Sequence, residues 1–305
     1  MSSSKLIVII GATGNQGGSV ANVFLKEQDG NTKAQALAAC GAEIFQADTN
    51  TPATLSTAFE GANAIFAVSD YWGLFGDPAN KYKAQPGQPL NVWVAEHETQ
   101  QLKNIIDAAA QVPTLERFIL SSLSNATEWS KGVYTHVYHF DLKAKTAEYG
   151  SETYPDLWAK TSIYQAGLFL IQLIGHLEQD VKIPFIAAEE DSGHLVKALI
   201  LQEPAGKNLI GYRGWLTPRE LASAFTRATG LDAEVVTLSK GHFPPSISGD
   251  FKAQLQDNMG YWNEFGYEGR DDPTVVHPRD LKSPPSLDTV EDYLKKQGWT
   301  KVFGS

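Results

Sequence analysis

The chain is poor in cysteine, in clustered basic residues and in long hydrophobic runs. Its 305 residues contain a single cysteine, Cys40, which excludes an internal disulfide and fits a reducing compartment. Acidic side chains outnumber basic ones by 35 to 25, and the basic ones are scattered, which argues against direct nucleic-acid binding. No apolar stretch approaches the roughly 20 residues of a membrane span. We therefore expect a soluble cytoplasmic protein that binds neither nucleic acid nor membrane.

What the chain does contain is an alternation of apolar runs with helical patterns. Strands are predicted near residues 5–10, 43–47, 63–68, 117–123 and 160–165. Such alternation is typical of a parallel sheet covered by helices. We expect an α/β fold, a Rossmann-like doubly wound parallel sheet over residues 1–165. A smaller C-terminal α/β substrate region is expected over 166–305, partly interleaved with the first.

One helix can be placed in more detail, over residues 91–111. Its apolar stripe consists of Val94, Leu102, Ile105, Ile106 and Ala109, and it should pack on the sheet. The polar residues between them, Glu96, His97 and Glu98, are expected to be solvated.

The first strand runs directly into a glycine-rich turn. Lys5–Ile10 is apolar and β-branched after its lysine, and Gly11, Gly14 and Gly17 follow at intervals of three. Gly11 would permit a sharp turn, Gly14 the close approach of a pyrophosphate, and Gly17 close packing of the following helix on the strand. The context favours dinucleotide binding. The alternative is a structural turn that holds no ligand.

The second strand of such a fold is missing from the sequence pattern. Residues 26–36 contain one β-branched residue, Thr32, and no apolar run. That strand normally carries the acid that binds the adenosine ribose, or the arginine that accepts a 2′-phosphate. Asp29, the nearest acid, is expected at the surface, so the sequence does not decide between NADP and NAD. Either the adenosine site is built differently or the chain lacks a segment.

Two further regions point to a substrate site. Residues 73–90 are rich in Gly and Pro and follow a strand, so they would rise from the carboxyl edge of the sheet, where a lid is expected. From about residue 239 the chain is rich in aromatic side chains. These make a core or subunit contact, as in a homodimer, or they line an apolar pocket.

Residues 117–143 hold the candidate catalytic groups. Hydride transfer needs a proton donor beside the substrate carbonyl and a lysine near it, often as Tyr-x-x-x-Lys on one helix face. Here His139 precedes Lys143 at that spacing, and Tyr138 is rotated off the face. His139 is therefore a candidate acid. Ser122, at the end of a strand, is a candidate donor to the carbonyl; the alternative is that it only ends the strand. No metal is expected.

These segments together resemble one family. GATGNQGGSV, AIFAVSDYW, RFILSSLSNA, YHFDLKAK and IPFIAAEEDSG occur in this order, and they resemble the NmrA-like family of atypical short-chain dehydrogenase/reductases. That family includes fungal nitrogen-metabolite regulators, NADP(H)-sensing proteins and reductases of fungal natural-product pathways.

The resemblance implies specific site residues. The pyrophosphate would be held by Gly11, Thr13, Gly14, Asn15, Gln16 and Gly17. Val68 and Ser69 would lie beside the adenosine or nicotinamide, Lys143 at the nicotinamide ribose, and His139 in the usual tyrosine position. Two departures are the absent strand and a short segment over residues 175–182. The implied cofactor is NADP, with NAD as the alternative.

Three functions are consistent with these residues. The first is an NAD(P)H-dependent reductase of an apolar or aromatic carbonyl, enone or imine metabolite, in fungal secondary metabolism. The second, favoured by the loss of the tyrosine, is a non-catalytic NAD(P) sensor that binds a protein partner, which would allow a nuclear location. The third is a redox-neutral isomerase, cyclase or dehydratase that has lost normal cofactor use.

Overall fold

The computed structural model describes residues 5–25, 37–38, 41–170, 180–236, 243, 247, 249–270 and 272–299. Its strands are β1 (Ile7–Ile9), β2 (Ala64–Ala67), β3 (Arg117–Ser122), β4 (Thr161–Ala166), β5 (Leu168–Phe169), β6 (Ile183–Ile186), β7 (Asn208–Gly211), β8 (Gly214–Leu216) and β9 (Val275–Val276). Its helices are α1 (Asn15–Leu25), α2 (Pro52–Ala58), α3 (Tyr71–Gly76), α4 (Leu90–Ala110), α5 (Ala126–Trp129), α6 (Tyr138–Thr153), α7 (Pro155–Trp158), α8 (Ala188–Leu201), α9 (Pro218–Thr229), α10 (Gly249–Phe265) and α11 (Val290–Lys296). Short 3₁₀ turns lie at Pro78–Asn80 and Pro278–Asp280.

The main sheet has six strands in the order β1-β2-β3-β4-β7-β9, and every neighbouring pair is parallel. Its central register places Ile65 beside Val8 on one side and beside Phe118 on the other. Four of the predicted strands are thereby confirmed. The expected α/β, Rossmann-like parallel sheet is the fold of the molecule.

Helices cover both faces of this sheet, because successive strand residues point to opposite sides. Ile65 and Phe118 belong to a core under α4 and α6. Phe66 and Ile119 belong to a second core with Val20 of α1 and with α8. Burial on both faces explains why the strands are continuous apolar runs.

A three-stranded sheet of order β5-β6-β8 stands beside the main one, with β5 and β6 parallel and β6 and β8 antiparallel. A third apolar cluster packs around it and contains the aromatic residues Tyr134, Phe140, Tyr261, Trp262 and Tyr267. The chain beyond residue 165 also supplies β7 and β9 of the main sheet. The aromatic C-terminal residues are thus largely core.

One predicted strand is wrong. Residues 43–47 form no strand, and the side chains of Ile44 and Phe45 are 45% and 52% exposed. A strand needs a hydrogen-bonded neighbour and an apolar surface to cover it, and this segment has neither among the described residues. The predicted gap at 26–36 with Asp29, the thiol of Cys40, and most of 175–182 lie outside the described residues.

The predicted helix over 91–111 is confirmed as α4, and all five residues of its predicted stripe are buried. The expectation that Glu98 is solvated is wrong, because its side chain is fully buried. In the part of the chain that the structure describes, no helix has the length and apolarity to cross a membrane.

Candidate active site

The glycine turn joins β1 to α1 in a tight conformation. Gly11 has a φ of +66°, which favours glycine, and its carbonyl accepts a hydrogen bond of 2.9 Å from the amide of Gly14. A Cβ on Gly17 would lie 2.3 Å from the carbonyl oxygen of Gly11 and 2.7 Å from that of Ile10. Only glycine therefore lets α1 approach the turn this closely.

Gly14 differs, because packing does not require it to be glycine. A Cβ there would lie 3.4 Å from the Gly11 oxygen, an ordinary contact. Thr13, Gly14 and Asn15 are exposed and stand where α1 begins, where amide groups and the helix dipole favour an anion. The side chain of Gln16 instead turns inward and accepts a hydrogen bond of 2.9 Å from Ser121 of β3.

Val68 connects this turn to the end of β2. A Cβ on Gly11 would lie 3.1 Å from Cγ1 of Val68, so the turn and Val68 are neighbours. Val68 and Ser69 line a cavity of about 340 Å³, together with Asp70 and with Gln101 and Ile105 of α4. The cavity therefore lies at the carboxyl end of β2, next to the glycine turn, and ligands bind at this edge in open α/β sheets.

At Ser69 the structure brings together three polar side chains from three elements. The ammonium of Lys143 lies 2.6 Å from Oγ of Ser69 and 2.5 Å from Oε1 of Glu98. Ser69 also donates to Glu98 Oε1 at 2.5 Å. Lys143 is 8% exposed and Glu98 is not exposed at all. We call these three residues the lysine cluster.

His139 lies one helical turn before Lys143 but in apolar surroundings. Its ring is 4.9 Å from that of Trp72 and 5.6 Å from that of Tyr71, and its Nδ1 is 3.3 Å from Nε2 of Gln254 in α10. Burial, with the charge of Lys143 as a smaller contribution, lowers the pKa of His139 to about 3. The imidazole is consequently neutral at physiological pH.

The serines at the end of β3 and just after it make different hydrogen bonds. Ser122 is buried and makes a long hydrogen bond of 3.5 Å to the carbonyl of Leu123. The hydroxyl of Ser121 donates to the side-chain oxygen of Gln16. Ser124 donates to the carbonyl of Tyr267 at 2.9 Å and lies 2.9 Å from the hydroxyl of Tyr261, so its role is to join β3 to the C-terminal core.

Aromatic side chains of two helices, α3 and α10, pack together near His139. Trp72 and Phe75 of α3 contact Phe251 of α10, with ring centroids 6.3 Å and 4.9 Å away. All three rings are only partly buried. Polar contacts hold the two helices together, since Gln254 Oε1 accepts from the hydroxyl of Tyr71 at 3.1 Å.

The segment predicted as a lid begins with α3 and has its own hydrogen bonds. Asn80 is buried and donates to the carbonyl of Leu74 at 2.8 Å, and Gln88 donates to Glu96 at 2.7 Å. Tyr82 at its tip is 91% exposed. Movement of this segment over the cleft stays a prediction.

Residues of two sequence motifs, YHFDLKAK and IPFIAAEEDSG, make contacts that stabilise the fold. Asp141, in the motif of His139 and Lys143, accepts hydrogen bonds from the amide and hydroxyl of Thr127, and burial raises its pKa. Asp191, after β6, accepts from Nε of Arg213 at 2.8 Å. A Cβ on Gly193 would lie 2.2 Å from the carbonyl oxygen of Ser19, so this glycine allows α8 to pack against α1.

Glu98 is the site residue that the sequence interpretation missed. A signal was available, because Glu98 stands four residues from both Val94 and Leu102, on the apolar stripe itself. A carboxylate on a buried stripe requires a cation, and the sequence pattern does not show that the cation comes from Lys143 on another helix.

The sequence profile of the NmrA-like family matches residues 3–294. The chain belongs to the NmrA-like family. It is 24% identical over 347 aligned positions to the NmrA-like family domain-containing oxidoreductase ptmS of Penicillium ochrochloron, covering 96% of this chain and 98% of the relative. It is 29% identical to hkm9 of Aspergillus hancockii, with coverage of 75% and 74%. The first alignment is longer than this chain, so ptmS contains residues with no counterpart here.

Solved structures share the fold. The crystal structure of NmrA, a negative transcriptional regulator, has a TM-score of 0.72 at 19% identity, covering 96% of this chain and 95% of that one. Leucoanthocyanidin reductase from Vitis vinifera, in a binary complex with NADPH, has a TM-score of 0.66 at 16% identity, with coverage of 96% and 99%. Triphenylmethane reductase of Citrobacter sp., complexed with NADP(H), has a TM-score of 0.64 at 16% identity, with coverage of 95% and 99%.

Proposed function

We propose that this protein is an NAD(P)H-dependent oxidoreductase. One observation carries the proposal: Val68 and Ser69, which follow β2 and line the cavity, stand between the glycine turn and the buried lysine. Val68 lies beside Gly11 of the turn, where an added Cβ would come within 3.1 Å of it, and the adjacent Ser69 lies 2.6 Å from the ammonium of Lys143. A nicotinamide dinucleotide needs these two features, an anion-binding turn for its pyrophosphate and a cationic donor for its ribose. Relatives aligned over most of the chain bear the name oxidoreductase, which supports the assignment.

The proposed cofactor-binding residues contact different parts of the dinucleotide. The pyrophosphate is assigned to the turn, whose exposed residues Thr13, Gly14 and Asn15 stand at the start of α1, with Gly11, Gln16 and Gly17 shaping it. Val68 and Ser69 form the wall beside the adenosine or nicotinamide, and Lys143 donates to ribose hydroxyls. When bound, the cofactor supplies the hydride. Structural neighbours in complex with NADP and with NAD support a nicotinamide cofactor of either kind.

The proton source depends on the protonation state of His139. This residue stands in the tyrosine position, but its pKa of about 3 leaves almost no imidazolium at neutral pH, and a neutral imidazole is a weak acid. The alternative donor is a water molecule in the cleft, which can exchange its proton with solvent. Ser122 keeps its proposed role at the substrate carbonyl, because its long bond to Leu123 is easily exchanged for a stronger one.

The proposed substrate is an apolar or aromatic carbonyl, enone or imine of fungal secondary metabolism. The support is the partly buried group of Trp72, Phe75 and Phe251 beside His139, because aromatic faces recognise flat apolar molecules by stacking.

Purified protein should consume NADPH or NADH, followed by the loss of the reduced cofactor's absorbance, with at least one member of a panel of aromatic ketones, enones and imines. Lys143→Ala would be compared with Lys145→Ala, an exposed lysine on the same helix. Loss of turnover in the first variant alone, at a temperature where that variant is still folded by circular dichroism, supports the proposal. No binding of either cofactor by calorimetry would refute it.

A non-catalytic sensor is the second candidate. It is favoured by the neutral, buried state of His139, which leaves the tyrosine position without an acid. A sensor must bind the oxidised and reduced cofactors with different affinity, because only a differential free energy can switch it. Equal dissociation constants for NADP and NADPH would exclude this role.

A further inference from the structure

We propose that Glu98 is a positioning residue, which holds the ammonium of Lys143 against Ser69 at the wall of the cleft. The inference rests on the proposed function, since it concerns how the cofactor-binding lysine is placed. The lysine cluster draws its members from three elements: Ser69 follows β2, Glu98 lies on α4, and Lys143 on α6. A flexible four-carbon lysine chain has many rotamers, and Glu98 selects one of them.

The contacts fix the ammonium rather than merely neutralise it. Oε1 of Glu98 lies 2.5 Å from Nζ of Lys143 and accepts from Ser69 at 2.5 Å as well, while Ser69 lies 2.6 Å from the same Nζ. The three polar atoms form a closed triangle. Charge-assisted hydrogen bonds of this length are strong and directional, so moving Nζ breaks two of them together.

The ion pair leaves the second carboxylate oxygen of Glu98 without a partner in the described part of the chain. Oε2 of Glu98 is buried and has no hydrogen-bond partner among the described residues. Burying a carboxylate is costly, and an ion pair that only stabilises a core repays the cost when all its polar atoms are bonded. A buried polar atom without a partner needs an explanation, and a role in holding Lys143 at the wall of the cleft supplies one.

The two helices do not need this ion pair in order to pack. The hydroxyl of Tyr149 on α6 donates to Asp107 on α4 at 2.7 Å, and the ammonium of Lys103 lies 4.5 Å from the Tyr149 ring. Leu102 and Leu142 share the core between the helices. The lysine cluster is the contact that points toward the cleft, through Ser69.

The test compares Glu98→Gln with wild type by limited acetylation and peptide mass spectrometry. Lys145, exposed on the same helix, serves as the internal standard. The Lys143/Lys145 labelling ratio should rise roughly tenfold in Glu98→Gln, as expected when one charge-assisted hydrogen bond is lost. Affinity for NADPH, measured by its fluorescence, should fall. Glu152→Gln, which changes an exposed glutamate of α6, is the control and should change neither.

Glu98→Asp keeps the charge on a shorter arm and should restore part of both properties; it also decides the matter if Glu98→Gln does not fold. A wild-type labelling ratio in folded Glu98→Gln would overturn the proposal. So would increased labelling with unchanged NADPH affinity, because the position of Lys143 would then not matter to the cofactor. If wild type binds neither NADPH nor NADH, the proposed function fails, and the labelling ratio alone decides whether Glu98 holds Lys143.

Discussion

Alanine substitutions at Gly17 and Gly14 of the glycine turn should have different effects. The first should lower the stability of the protein, and the second should lower its affinity for NADPH. An alanine at position 17 would bring Cβ to 2.3 Å from the oxygen and 2.5 Å from the carbon of Gly11. These are backbone atoms that cannot rotate away, so α1 must shift. Overpacking of this kind costs about 3 kcal/mol, which lowers Tm by on the order of 5–10 °C in a domain of this size.

Gly14→Ala should leave stability within about 1 kcal/mol of wild type, because the contact of 3.4 Å is ordinary and the residue is not in a left-handed conformation. It should nevertheless raise the Kd for NADPH by roughly tenfold or more, equivalent to about 1.4 kcal/mol, since Cβ occupies the approach of the pyrophosphate. Gly76→Ala, whose Cβ would contact nothing, is the control for both measurements.

Differential scanning fluorimetry and NADPH titration of the three variants decide the matter. A wild-type Tm for Gly17→Ala would show that the helix does not lie against the turn as described. Wild-type affinity in Gly14→Ala would show that the pyrophosphate binds elsewhere, and the assignment of the turn would have to be abandoned.

Three other outcomes are expected. His139 has a pKa of about 3 in the folded protein against 6.5 for an unperturbed histidine, so the unfolded chain binds an extra proton and stability falls as the pH drops from 6.5 toward 3. His139→Gln should recover about 2 kcal/mol of the stability lost by about pH 5, measured by urea unfolding. An unchanged pH dependence in this variant would contradict the prediction. Lys143→Ala leaves the carboxylate of Glu98 buried without its cation, so it should cost about 3–5 kcal/mol in the same assay, with partial recovery on adding Glu98→Ala; equal stability of the single and double variants would argue against the ion pair. Trp72→Ala should raise KM for an aromatic substrate roughly tenfold while the Kd for NADPH stays constant, and a changed Kd alone would place Trp72 on the cofactor side.

Much of the fold could be predicted because its signals are local. The apolar run of Lys5–Ile10 ends in glycine, and the stripe of α4 repeats every three to four residues, so neighbouring residues alone determine both. Residues 43–47 show the limit of that reasoning. Ile44 and Phe45 have strand-like composition, but a strand forms only against a partner, and composition does not report whether a partner is present.

The site was less predictable because its defining contacts are distant in sequence. Glu98 and Lys143 are 45 residues apart, and their burial depends on each other: neither charge would be stable inside without the other. His139 likewise owes its neutral state to rings on α3, far upstream. Its spacing from Lys143 could be seen in the sequence, whereas the environment that sets its pKa could not.

The path of the chain beyond residue 165 limits how this protein can be recombined with its relatives. β7 pairs with β4, and a Cβ on Gly211 would lie 2.5 Å from the ring of Tyr164. A chimera joined at residue 165 would therefore pair β4 of one parent with β7 of the other. At this strand pair a methyl group added at Gly211 would collide with the ring of Tyr164. Transplanting the proposed substrate preference is better attempted by exchanging α3 and α10, which carry Trp72, Phe75 and Phe251 and do not belong to the sheet.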